Sequence, residues 1–289
     1  MKIKVITRFA PSPTGPLHLG HAYAAVVAHD MARAASGDFL LRIEDIDQVR
    51  ARPEWEALIK EDLLWLGLRW DGPIMRQSDR MPAYRTALRD LWARGLIYDC
   101  HCTRRDIAEA ASAPQEGATP LIGPDGLIYP GTCRRDHDGS GTLPGAALRL
   151  NMRRALDSLT HPLSFAETGA GPDGQSGVQA YDPEYLLANI GDVVLARRDM
   201  GTSYHLAVVL DDAAQQVTHV TRGADLFEAT PIHVLLQHLL GLPTPVYHHH
   251  RLIRDDQGKR LAKRDDARAI AAYRTEGKTP DQVHGLIGV

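Results

Sequence analysis

No window of the sequence holds the ~18 uninterrupted apolar residues that a membrane span requires. Met1 to Arg8 lacks the apolar core of a signal peptide and runs at once into Pro11 and Pro13. The sequence contains 3 cysteines, an odd number that cannot close a disulfide framework. These absences point to a soluble, cytoplasmic protein with no membrane partner. Cationic surplus is missing too: Lys plus Arg is 33, Asp plus Glu is 36, and the net charge is -3. A DNA-coating protein is thereby excluded, and any nucleic acid must be held by local basic patches. No internal repeat and no heptad pattern occurs.

The 289 residues are 44% hydrophobic and 24% charged, enough for one large or two moderate domains. The run 2–6 reads as a strand, 19–35 as an Ala-rich helix and 39–43 as a second strand. Trp55, Leu58, Ile59, Leu63 and Leu66 recur at helical spacing, as do Met81, Tyr84, Leu88, Leu91 and Trp92. Such alternation predicts an α/β fold with a parallel sheet. The pattern changes at Tyr98 and gives way to turn residues and all three cysteines. A second turn-rich stretch covers 169–177. Further runs at 192–197, 206–210 (LAVVL) and 216–220 resume the strand-like alternation, and 230–240 reads as a helix. The expected organisation is a first half of the α/β domain over 1–98, an insert over 99–147, a second half over 148–242 and a C-terminal region over 243–289.

The run Pro11-Ser12-Pro13-Thr14-Gly15-Pro16-Leu17-His18-Leu19-Gly20-His21 lies between the first strand and the first helix. Ligands of open α/β sheets bind at such a crevice. His18 and His21 stand three apart at a helix start, so both imidazoles leave one face beside an end that favours anions. Gly20 lets a flat group approach the backbone. A second basic element, Gly258 to Arg264, carries four cations on a loop. By itself it is a solvated charge run, but Lys263 is also suited to a leaving pyrophosphate. Cys100-His101-Cys102 followed by Tyr129-Pro130-Gly131-Thr132-Cys133 has the look of a structural zinc site with three thiolates. His137, at Cys-x3-His spacing, and Tyr129 compete for the fourth position, while His101 points away if the segment is extended. The run His248-His249-His250 reads as structural or nucleotide-adjacent, because neighbours on a strand face opposite sides.

Arg8 to His21 resembles the signature of class I aminoacyl-tRNA synthetases of the glutamyl type, with His18-Leu19-Gly20-His21 as the HIGH element. LRIEDID at 41–47, WDGP at 70–73, QSDR at 77–80 and RGADL at 222–226 agree with it. Arg260 to Arg264 resembles the KMSKS loop, with Arg260 for the first lysine, Ala262 for the serine, and Lys263 retained. The resemblance implies a Rossmann-like catalytic domain that activates L-glutamate with ATP and Mg2+. It places ATP against His18, Gly20, His21, Arg260 and Lys263, with His18, His21 and Lys263 as the catalytic groups. It places glutamate against Arg8, Ser12, Glu44, Tyr204 and Arg222. The residues alone permit a blander view, in which Arg8 simply pairs with Glu44 and Tyr204 is core. Paired arginines favour glutamate over glutamine.

The Cys-x-Cys and Tyr-x3-Cys spacing resembles a short glutamyl-type subfamily and implies one Zn2+ per chain on Cys100, Cys102, Tyr129 and Cys133. That subfamily attaches glutamate to queuosine at the wobble position of tRNA(Asp). The 25 residues after Arg264 are too few for a helical anticodon-binding region, which fits it. The expectation is therefore a monomer that recognises the tRNA(Asp) anticodon stem-loop directly. The rival expectations are a truncated or discriminating glutamyl-tRNA synthetase charging a 3′ end, and a catalytically silent zinc-bearing RNA-binding paralogue.

Overall fold

The first strand forms later than the apolar pattern predicts: β1 is Ile6–Phe9 rather than 2–6. Its register gives the reason. Ile6 lies opposite Asp38 and Phe9 opposite Leu41 of β2 (Asp38–Ile43), so pairing begins where a parallel neighbour exists. Between them runs α1 (Leu19–Ala34), as expected from its alanines, of which Ala22, Ala25, Ala28 and Ala32 are buried. The structure, a computed structural model, describes residues 4–111, 122–136, 138–254 and 268–289.

Helix α2 (Pro53–Trp65) opens with proline in its first turn, where the missing N–H costs nothing. It is followed by β3 (Met75–Arg76), parallel to β2, and by α3 (Met81–Ala93). The chain then leaves the parallel layer. Strand β4 (Ile97–Cys100) leads to α4 (Arg104–Ala111) and to a small hairpin of β5 (Ile122–Gly123) and β6 (Gly126–Leu127). It returns through β7 (Ala147–Leu150), which pairs antiparallel with β4. After α5 (Met152–Asp157), β8 (Leu163–Glu167) and β9 (Gly177–Tyr181) form a hairpin around the 169–177 turn region. Then come α6 (Pro183–Asn189) and β10 (Val194–Ala196), which completes the antiparallel order β10-β7-β4. These antiparallel pairs are an addition to the purely parallel sheet expected.

Residues 206–210 are helical, contrary to the strand-like reading. They lie inside α7 (Tyr204–Ala214), whose Leu206, Ala207, Val208 and Val209 are all buried. A short apolar run buried on every side has no periodicity to separate strand from helix. Here the Ser203 side chain accepts the Leu206 N–H and caps the helix. The strand expected at 216–220 starts later, as β11 (His219–Gly223). Helix α8 (Thr230–Leu239) and β12 (Val246–His250) follow, then α9 (Ile270–Thr275) and α10 (Pro280–Ile287).

Strands β11, β12 and β8 are mutually parallel. The Thr218 N–H donates to the Ile6 carbonyl at 2.9 Å and sets β11 beside β1. Across that seam the order is β3-β2-β1 on one side and β11-β12-β8 on the other. Strand order thus reverses between β1 and β11, and the crevice at their carboxyl ends is where such sheets bind ligands. Two hydrophobic clusters back it. One joins β1, α1, β2 and α2 to Ile253, Ile270, Val283 and Ile287 near the C-terminus. The other joins α3, β4 and β7 to α7 and α8. Among the described residues, no helix is long and apolar enough to cross a membrane.

Candidate active site

The cavity at the β1–β11 seam has a volume of about 400 Å³ and is lined by Arg8, His18, Gly20, His21, Glu44, Tyr204 and Arg222. Ser12 lines an adjoining space, together with His21, Glu44 and Tyr204. The expected glutamate and nucleotide residues among the described positions therefore share one connected crevice. Arg260, Lys263 and the rest of the lysine loop lie outside the described residues, as does His137.

His18 is the N-cap of α1, and its Nδ1 accepts the Gly20 N–H at 3.1 Å. His21 Nδ1 reaches back to accept the His18 N–H at 3.2 Å. The two rings lie 3.7 Å apart at a tilt of 31°. Because both Nδ1 atoms accept, the proton of each neutral ring sits on Nε2, a donor at a helix N-terminus. That arrangement suits phosphate oxygens. The preceding loop is tied down by the Glu44 N–H to the Pro11 carbonyl and by the Arg52 N–H to the Pro13 carbonyl, both 3.0 Å.

The charges of the pocket are arranged unlike the simple Arg8–Glu44 pair. Arg8 is buried and grips Asp212 of α7 with Nε at 2.9 Å and Nη2 at 3.4 Å. Its Nη1 donates to the Thr221 carbonyl. Glu44 pairs instead with fully buried Arg42, 3.4 Å away, and Arg42 also donates to Asp212 at 2.7 Å. Burial opposes ionisation of Asp212, yet Arg8 and Arg42 hold its carboxyl below the usual range. At Glu44 burial outweighs the pull of Arg42 and Arg8 and pushes the carboxyl up. An ammonium placed beside it would reverse that shift. Tyr204 is half-buried at the start of α7 and its hydroxyl is pushed up by burial, so it stays protonated.

Arg222 sits at the end of β11, 6% exposed, and among the described residues no carboxylate contacts it directly. Nε donates to His249 Nε2 at 3.0 Å, Nη1 to His233 Nδ1 at 2.8 Å and Nη2 to the Thr230 hydroxyl at 2.7 Å. A guanidinium only donates, so both rings accept from it and are neutral at those nitrogens. His249 then gives its Nδ1 proton to Glu167 at 2.5 Å, and His233 Nε2 lies 3.0 Å from His205 Nδ1. Burial first, and then the Arg222 charge, drive the His233 pKa well below its ordinary value. His249 is lowered by burial as well, although Glu167 pulls it back. Among the described residues three of the five Arg222 N–H groups are thus engaged, and two remain for an incoming carboxylate.

Asp212, Arg42, His233 and Glu167 were not singled out from the sequence. Arg42 stood inside the LRIEDID motif, and a paired Asp211-Asp212 on an apolar helix was a signal for a buried charge partner. The histidine run divides as alternation requires: His249 faces Arg222 and Glu167, and His248 contacts Thr168.

In the insert, the Sγ atoms of Cys100, Cys102 and Cys133 all lie within 4.8 Å of one another. The Tyr129 hydroxyl is 3.3 Å from Cys102 Sγ and 3.5 Å from Cys100 Sγ, and it accepts the Cys133 N–H at 2.8 Å. Arg149 stacks over the Tyr129 ring at 3.9 Å. Burial opposes ionisation of Cys133, but hydrogen bonds from Tyr129, the His101 backbone and the two neighbouring thiols together outweigh it and bring the thiol down to about 6. His101 is turned to Asp99 at 2.9 Å, away from the thiols. Three sulfurs and a phenol oxygen converge on one point, a donor set that fits a tetrahedral zinc ion.

This crevice, with helix-capping histidines opposite buried arginines on a sheet of reversed strand order, is the catalytic domain of a class I aminoacyl-tRNA synthetase. A family model described as class I tRNA synthetases (E and Q), catalytic domain, matches residues 4–120 and 177–287, and the chain belongs to that family. Among curated relatives, the glutamyl-Q tRNA(Asp) synthetase of Rhodobacter capsulatus is 64% identical over 288 residues, covering 99% of this chain and 100% of that protein. The protein of the same name from Geobacter sulfurreducens is 46% identical over 93% of this chain and 79% of its own length. Within the family the chain therefore belongs with the glutamyl-Q tRNA(Asp) synthetases. The crystal structure of a glutamate tRNA ligase from Elizabethkingia meningosepticum, in complex with its amino acid, is 27% identical with a TM-score of 0.76. That match covers 99% of this chain and 61% of the ligase, so this chain spans under two thirds of it.

Proposed function

We propose that the enzyme activates L-glutamate with Mg2+-ATP and transfers it to queuosine in the anticodon stem-loop of tRNA(Asp), in the cytoplasm and as a monomer. The observation that carries this reading is the single crevice holding both the capping histidines and an amino-acid pocket of opposed charges. The names of the close relatives supply the acceptor. In the first step an oxygen of the glutamate α-carboxylate bonds to the α-phosphorus of ATP, and the bond to pyrophosphate breaks. His18 and His21 donate Nε2 protons to the phosphates, and Gly20 leaves room for the nucleotide beside α1. Arg260 and Lys263 act on the departing phosphates. Glu44 and the Tyr204 and Ser12 hydroxyls hold the substrate ammonium and backbone, while Arg222 takes the side-chain carboxylate with its two remaining N–H groups. In the second step an RNA hydroxyl attacks the adenylate carbonyl, the ester forms and AMP leaves. Chemistry of this kind rests on positioning and electrostatics and forms no covalent bond to the enzyme.

A structural Zn2+ on Cys100, Cys102, Cys133 and Tyr129 would lock the insert. Metal analysis of the purified protein is expected to find one zinc per chain, lost in Cys133→Ser. The decisive functional experiment supplies labelled glutamate and ATP with queuosine-containing tRNA(Asp) or with tRNA(Glu). Label is expected on tRNA(Asp) only, and nuclease digestion should place it on an anticodon fragment and not on the 3′-terminal nucleoside. Label on the 3′ end of tRNA(Glu) would overturn the reading.

A further inference from the structure

A second cleft, about 640 Å³ in volume, opens between α3, the segment 139–146 and the residues just after β10. Arg85 and Arg89 of α3 face it, together with Arg197 and Arg198. All four side chains are exposed, and among the described residues no carboxylate lines the cleft. None of the four makes a side-chain hydrogen bond or ion pair among the described residues. Several other surface arginines of this protein are paired with carboxylates. Arg33 pairs with Asp71, Arg50 with Asp47, Arg76 with Glu56, and Arg94, on the end of α3, with Asp90.

The grouping has a cost. Arg85 and Arg89 stand four apart on one helix, the spacing at which like charges repel by roughly 0.2–0.5 kcal/mol. In a chain of net charge -3 the cluster is not a by-product of abundant cations. It also adjoins the amino-acid crevice, because Arg197 lines both this cleft and the space holding Ser12, Glu44 and Tyr204. Trp92 adds an aromatic ring to the wall.

We infer that this cleft binds the RNA substrate, its arginines holding phosphodiester groups of the strand that delivers the acceptor nucleotide to the glutamate crevice. The inference rests on the proposed transfer to RNA. An arginine cluster on a cleft wall whose described lining holds no carboxylate, beside a ring and next to the crevice of the reacting atoms, is the electrostatic and stacking footprint of a polynucleotide track.

The test compares wild type with Arg85→Glu/Arg89→Glu and with Arg198→Glu. A control of equal charge change, Arg69→Glu/Lys278→Glu, alters exposed cations on other elements. Three quantities are read: affinity for the queuosine-containing tRNA(Asp) stem-loop by fluorescence anisotropy, kcat and KM for transfer, and glutamate-dependent ATP–pyrophosphate exchange without RNA. The α3 double variant is expected to weaken stem-loop binding by about 30-fold or more, and the slope of log affinity against log salt should flatten by about 1–2. The loss in transfer should fall on KM for RNA, with exchange staying within about two-fold of wild type. Equal weakening in the control variant would show only a net-charge effect and overturn the assignment. Wild-type affinity in the cleft variants would overturn it too. If wild type binds the stem-loop through these arginines but transfers no glutamate to it, the cleft stands and the proposed reaction falls.

Discussion

Arg8 and Arg222 stand at equivalent places, at the carboxyl ends of β1 and β11, and both are buried against the same cavity. Their surroundings differ in one respect. Arg8 is neutralised in direct contact by Asp212, which it shares with Arg42. Arg222 is held by two imidazoles and a hydroxyl, and the nearest anion of its network, Glu167, stands one ring away behind His249. A cation already paired with a carboxylate gains little from a second one. A cation fixed by neutral acceptors is pre-oriented with its attraction for an anion unspent. On the proposed function, we infer from this contrast that Arg8 chiefly braces β1 against α7 at the edge of the glutamate pocket, and that Arg222 selects the substrate side chain.

The largest effect should come from Arg222→Gln. It is expected to raise KM for glutamate on the order of 100-fold to 1000-fold in ATP–pyrophosphate exchange, as truncating a buried charge partner does. Its stability should fall by less than that of Arg8→Gln, because it loses hydrogen bonds to neutral acceptors and strands no described carboxylate in direct contact. Arg8→Gln should show the reverse emphasis. It leaves Asp212 half-compensated in the interior and is expected to lower the unfolding free energy by roughly 3 kcal/mol in denaturant titrations. A greater loss of stability in Arg222→Gln than in Arg8→Gln would break the comparison.

pH separates the two cradles at a smaller scale. His233 and His249 titrate below their ordinary value of 6.5 in the folded protein, so the unfolded chain takes up protons first as pH falls. Their contribution to stability is complete above about 6.5 and is lost as pH drops toward the folded values, by at most ~1.4 kcal/mol per pH unit for each ring. Asp212 is a carboxylate held below 3.8, so its contribution is present above that value and is lost as pH falls through the folded value. Thermal melts should therefore show that His233→Gln/His249→Gln flattens the decline between pH 6.5 and 5 relative to wild type. Asp212→Asn should alter the pH dependence only in the acid range, below about pH 4. The smallest effect is expected from Tyr204→Phe, about 3-fold to 10-fold in kcat/KM for glutamate, the worth of one neutral hydrogen bond.

Much of this site was legible in the sequence because its residues sit in short motifs. Arg8, Ser12, His18, Gly20 and His21 lie within one loop and helix start, and Glu44 lies in LRIEDID. Their partners were not legible. Asp212 meets Arg8 across 204 positions and Glu167 meets His249 across 82, and no local periodicity records such meetings. Residues 206–210 illustrate the same limit. Being buried on all sides, they carried no polar face to declare a helix, and the cap at Ser203 decided the matter. The four arginines of the RNA cleft stood in the sequence as ordinary charged positions, and only folding gathered them around one cleft.

The sequence by itself determined what short covalent spacing can determine. Three residues from His18 to His21 bring both rings to one helix end, where they cap it and each other. Cys-x-Cys and Tyr-x3-Cys fix which donors lie near one another before they meet. Tertiary structure decided the charge balance. It set Asp212 of α7 under Arg8, and it assembled Thr230, His233, His249 and Glu167 from α8, β12 and β8 around Arg222. Electrostatic character depends on what surrounds a group in a medium of low dielectric, and that neighbourhood comes into being only when distant strands pack.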